Sequence, residues 1–110
     1  MKTSFMLSYD LGLDGDYESL YFWLDEKKAK ECGSSVAFIK NYEYEDDLFD
    51  QIKKEISENV DIRPKDRIYI FHPKKSGGFK GKFVFGKRKR NPWEGYAFSD
   101  DGEVEDTFDE

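Results

Sequence analysis

The chain has 110 residues, enough for one domain, with 37% hydrophobic residues and 17% aromatic ones. Ten Phe, seven Tyr and two Trp can build a small core from few side chains, and the mixed charges exclude the weakly hydrophobic, like-charged composition of disordered chains. The single cysteine, Cys32, excludes an internal disulfide, and no apolar run approaches the roughly 20 residues of a membrane helix.

The net charge of −6 conceals a sorting along the chain. Residues 1–73 carry −6, 74–90 carry +8, 91–98 carry −1 and 99–110 carry −7. A whole-chain isoelectric point therefore says little about partners; the local field around 74–90 matters more. With no secretory leader in Met1-Lys2-Thr3-Ser4 and one thiol, a cytoplasmic setting without membrane contact is expected.

Phe5-Met6-Leu7-Ser8-Tyr9 reads as a strand, closed by Asp10-Leu11-Gly12. A loop over 10–16 follows, and Asp16 is positioned to cap a helix over about 17–32. Leu20, Trp23 and Leu24 share one side of that helix, and Gly33 is its expected stop. Ser35 to Lys40 reads as a second strand, buried on both sides or continuing as a bent strand to Tyr44. A helix over about 45–59 opens with Glu45, Asp46 and Asp47, which suit the helix dipole. Its apolar stripe is Leu48, Phe49, Ile52, Ile56 and Val60.

Arg63-Pro64-Lys65-Asp66 is a turn, and Arg67 to Phe71 a third strand with Ile68 and Ile70 on one face. After a loop over 72–78, Phe79 to Arg88 reads as a fourth strand, paired with the third as a hairpin. Phe79, Gly81, Phe83 and Phe85 share one of its faces, which marks that face as the core side. Asn91-Pro92 turns the chain, and 99–110 is expected to be a disordered acidic tail. The order predicts a single α+β domain over 1–98, a ferredoxin-like two-layer sandwich of about four strands with two helices on one face.

Several groups bear on chemistry. Asp10 ends the first strand, where a carboxylate can hold a divalent cation such as Mg²⁺ if Asp14, Asp16 or a second subunit helps. A calcium loop fits poorly, because Gly12 stands where the second acidic ligand belongs. His72 and Cys32 sit in unrelated contexts, a loop start and a helix end expected to bury its thiol, so a nucleophile–base pair or a zinc site is not expected. The basic stretch Lys74, Lys75, Lys80, Lys82, Lys87, Arg88, Lys89 and Arg90 is interleaved with phenylalanine and followed by Trp93 and Tyr96. It has the composition to track a phosphate backbone and stack bases, of DNA or of RNA. Lysines that guard an exposed strand edge give the same pattern. Lys87-Arg88-Lys89-Arg90 also matches a nuclear-localisation pattern. The acidic tail has three readings: it solubilises, screens the basic stretch, or meets a basic partner.

Over about residues 4–71 the chain resembles the small CRISPR-associated proteins of the Cas-two type. The similarity lies in Ser8-Tyr9-Asp10-Leu11, in Asp16-Tyr17 before the first helix and in Ser35-Val36-Ala37-Phe38. It continues in the Leu48/Ile52/Ile56 helix and in Asp66-Arg67-Ile68-Tyr69-Ile70. The resemblance implies a ferredoxin-like fold and a homodimer. It also implies that Asp10 is the metal-site aspartate at the subunit interface, catalytic in a metal-dependent nuclease or phosphodiesterase. In other members the role is to hold DNA. The chain departs from the family pattern by inserting Ala37, by lacking a strand between the second strand and the second helix, and over 74–110. The alternative class is a non-enzymatic interaction module, such as an antitoxin, a regulator or a phage accessory protein, that meets a protein through the basic hairpin or the acidic tail.

Overall fold

The computed structural model describes residues 1–97. The expected tail over 99–110 lies outside the described residues.

The elements run β1 (Lys2–Asp10), α1 (Tyr17–Glu26), β2 (Lys30–Glu31), β3 (Val36–Glu43), α2 (Leu48–Asn59), β4 (Arg67–Pro73) and β5 (Phe79–Phe85). The strands form one antiparallel sheet in the order β2-β3-β1-β4-β5. Strands β2-β3-β1-β4 with two helices make the ferredoxin-like α+β sandwich, and β5 adds a fifth strand beside β4. Among the described residues no helix is long and apolar enough to cross a membrane.

The core follows strand alternation. Phe5 and Leu7 of β1, Ala37 and Ile39 of β3, and Ile68 and Ile70 of β4 are buried with Leu20, Trp23, Ile52 and Ile56 of the helices. On β3 the buried set then skips to Tyr42, because Asn41 takes a left-handed φ of 56° at a register shift against β1. That bulge is what allows the second predicted strand to continue to Glu43 and keep facing the core.

Both helices are shorter than their sequence patterns. Asp16 does cap α1, accepting from the Ser19 amide at 3.2 Å. The helix ends at Glu26, however, and Lys28 turns out of it at φ 57°. This frees Lys30 and Glu31 to pair with β3 as a strand absent from the sequence reading. Gly33 accordingly serves the β2–β3 turn rather than a helix end, and Cys32 is exposed rather than buried. Helix α2 starts at Leu48 because Asp47 caps it, accepting from the Asp50 amide at 3.0 Å.

The last strand needs two corrections. It stops at Phe85 rather than Arg88, because Gly86 takes φ +76° and lies so close to the Asp66 carbonyl that a Cβ there would come within 2.7 Å. Its core side is also inverted over 79–84: Val84 is the buried residue, whereas Phe79 is 63% exposed and Phe83 half-buried on the other face, and only Phe85, past a register shift against β4, packs on the core as expected.

Candidate nucleic-acid interface

The face of β1, β4 and β5 opposite the core carries the alternate residues Ser8, Asp10, Arg67, Tyr69, Phe71 and Phe83. Together with Lys74, Phe79, Gly81 and Arg88 they line a groove of ≈ 950 Å³. The cross-strand register builds it. Tyr69 faces Phe83 and their rings meet edge-on at 4.8 Å. Phe71 faces Gly81, so its ring is free to lie diagonally over Phe79, stacked at 4.8 Å with 14° between the planes. Gly81 is the gap that makes both contacts possible: a Cβ there would stand 2.1 Å from the Tyr69 hydroxyl.

Charge enters the groove from both ends. Asp10 and Arg67 are register partners, and Arg67 Nη2 donates to Asp10 Oδ2 at 2.8 Å. The Arg67 guanidinium lies 5.9 Å from the Phe83 ring centre, and that of Arg88 lies 5.8 Å from the same ring. Arg67 Nε is buried with no hydrogen-bond partner among the described residues. Arg67, Lys74 and Arg88 thus surround a run of four aromatic rings, with Asp10 as the groove's carboxylate.

The other basic residues are dispersed. Lys80 borders the groove, but its ammonium lies 5.6 Å from the Phe49 ring on the helix side, and that of Lys82 lies 5.8 Å from the same ring. Lys75, Lys87, Lys89 and Arg90 are exposed outside the groove lining, and Arg90 pairs with Glu94. Trp93 and Tyr96 are exposed in the turns that follow, also outside the lining.

The remaining candidates are structural by contact. Asp14 pairs with Arg63 at 3.1 Å, and Asp16 is occupied by the Ser19 and Asp61 amides. Backbone donors at Asp16 hold its carboxyl below the usual range, with the Asp61 amide foremost. Cys32 and His72 sit on opposite sides of β3 and β1, at least about 14 Å apart by strand spacing, and His72 packs on Phe49. Among the described residues no three His, Cys, Asp or Glu side chains come together as a metal site. Asp10, singled out in the sequence as a metal ligand and catalytic group, has a guanidinium as its close partner instead. Within one chain this is a poor environment for a cation.

Arg67, Tyr69 and Phe71 escaped the sequence reading as site residues. Alternation with Ile68 and Ile70 placed them on the opposite face, but only the helices' position shows that this face is open. Compared with protein-family models, curated proteins and solved structures, the chain shows no match.

Proposed function

We propose that the protein binds nucleic acid, holding a single strand along the open face of its sheet. The observation that carries this is the groove itself, where the stacked Phe71/Phe79 pair and the Tyr69/Phe83 pair lie among Arg67, Lys74 and Arg88. Exposed aromatic faces stack unpaired bases regardless of sequence, and the cations beside them take phosphates. A duplex keeps its bases stacked on each other and cannot use the rings. The resemblance to the Cas-two type supports the same class of ligand. Within one chain Asp10 is paired with Arg67, so the groove supports binding rather than cleavage.

The test is fluorescence anisotropy with labelled single strands of DNA and RNA, about 12 nucleotides long, against the matching duplex. Three phosphate contacts give an affinity falling with salt at a log–log slope of about −2 for single strands. Replacing Tyr69 and Phe71 by Ala together is expected to cost about 1–3 kcal/mol per lost stack with little change in that slope. Equal affinity for duplex and single strand, or binding indifferent to the two substitutions, would sink the proposal.

A further inference from the structure

We infer that residues 99–110 are an internal competitor for the open face, an acidic peptide that occupies the groove until nucleic acid displaces it. What displaces the segment rests on the reading above; the contact itself does not.

Three observations converge. The first is charge: the segment carries seven carboxylates and no base, while 74–90 carry eight cations and no acid. Three of those cations, Lys74, Lys80 and Arg88, line the groove beside Arg67. The second is chemistry beyond charge. The groove's rings include Phe79 at 63% exposure and Phe71 at 37%, which leave apolar surface for a partner to cover. The sequence beyond Ala97 places Phe98 just before its acids and Val104 and Phe108 among them. An anionic chain with intermittent aromatics presents to this face what a single strand presents, negative charge and flat apolar rings.

The third is reach. Arg88 lines the groove, and only eleven positions separate it from Ser99. Two turns within that span, closed by Glu94 N–H to the Asn91 carbonyl and Tyr96 N–H to the Trp93 carbonyl, hold the intervening chain short. Thirteen residues beyond Ala97 extend at most about 45 Å, against a molecule whose longest dimension is 47 Å. A random-coil chain of thirteen residues has a typical span of about 20 Å. Tethering at this range gives an effective concentration on the order of millimolar, so weak contacts suffice to occupy the face.

Two measurements on the full chain test this. In the first, a spin label is placed on Thr107→Cys in a Cys32→Ser background. With no nucleic acid present, the label is expected to broaden the amide signals of Tyr69, Phe71 and Phe83 and to spare α1. Salt near 0.5 M is expected to abolish the effect, because the Debye length then falls to a few ångström. In the second, Asp100, Asp101, Glu103, Glu105, Asp106, Asp109 and Glu110 are all replaced by their amides. Single-strand affinity is expected to rise about tenfold or more, and the broadening to vanish. Broadening spread evenly over the surface, or absent, overturns the inference, as does an unchanged affinity in the amide variant that binds nucleic acid. Broadening at the groove with no nucleic-acid binding by either form upholds the contact and overturns the proposed function instead.

Discussion

Asp10 and Arg67 face each other across β1 and β4 and are joined by a 2.8 Å hydrogen bond at the groove's end. The pair fixes the guanidinium that also lies against Phe83. Asp10 is thus the groove's own anion, and under the proposed function it is the group a phosphate would displace from Arg67. Asp10→Asn is therefore expected to raise single-strand affinity severalfold. Stability should change by no more than about 1 kcal/mol, since the Asp10 side chain is 59% exposed. Anisotropy and urea unfolding check the two halves. Lost binding in Asp10→Asn, or binding that requires Mg²⁺ in the parent, would return the carboxylate to a ligand-holding role.

Gly81 holds Tyr69 across the fifth strand, and its replacement separates binding from folding. A Cβ there meets three atoms of the Tyr69 ring and hydroxyl within 2.7 Å, at the movable end of a half-buried side chain. Gly81→Val is expected to swing Tyr69 out, open the Phe71/Phe79 stack to disturbance and weaken single-strand binding about tenfold, the loss of roughly one base stack. The fold should survive, since the backbone φ of Gly81 is not left-handed and a β-branched residue suits a strand. Gly86→Val is the contrasting substitution. Its Cβ meets the Asp66 carbonyl at 2.7 Å with φ at +76°, so it should cost folding stability.

The two layers and the central strands were legible because hydrophobic alternation in Phe5/Leu7 and Ile68/Ile70, and the stripe Leu48/Ile52/Ile56, each have a single reading. The fifth strand was not. Phe79 and Phe83 outweigh Val84 in apolar bulk, so the sequence alone put the core on the wrong side over 79–84. Register decided it: pairing Ile70 with Lys82 and Phe71 with Gly81 turns the lysines over Phe49 and Phe79 and Phe83 outward, and the register shift that follows returns Phe85 to the core. Apolar residues on an open face mark a binding surface more than a core. The same inversion hid the site. The basic stretch is plain in the sequence, but five of its eight cations lie outside the groove lining, while Arg67 stands outside that stretch. The two-residue β2 was invisible because it exists only through pairing with β3.

Asp66 carries the junction that positions β4. It is 2% exposed, and its carboxylate accepts from the Gly12 amide at 3.0 Å and the Arg63 amide at 2.9 Å. These bonds tie the loop after β1 to the turn before β4, and so set Asp10 opposite Arg67. Asp66→Ala leaves two amides without their acceptor and is expected to cost about 2–3 kcal/mol. For a domain near 100 residues that is a fall in Tm of about 8–24 °C. Calorimetry checks it. A loss below about 0.5 kcal/mol would mean that water replaces the carboxylate and that the junction is held elsewhere.

Glu55 makes the fold's stability depend on acid. Its Oε1 accepts from Trp23 Nε1 at 3.0 Å and pairs with Lys27, and its Oε2 accepts from the Tyr42 hydroxyl at 2.6 Å. Burial alone would raise the Glu55 carboxyl, but the donors Lys27, Tyr42 and Trp23 outweigh it and hold it below the usual carboxylate range. Burial, then Glu55 itself, pushes the Tyr42 phenol well above its ordinary value, so it stays a donor throughout the neutral range. A depressed carboxyl contributes stability that is fully present above its unfolded value near 4.5 and is lost as pH falls through the lower folded value. The raised phenol contributes below pH 10 and fades as pH rises beyond it. Glu55→Gln is expected to cost about 1–3 kcal/mol at pH 7, where Lys27 loses its partner and two donors lose a charged acceptor. The gap should narrow by pH 3, as the parent's own carboxylate protonates. Urea unfolding of both proteins at the two pH values reads this directly, and a gap of equal size at both would show that the carboxylate's charge contributes nothing there.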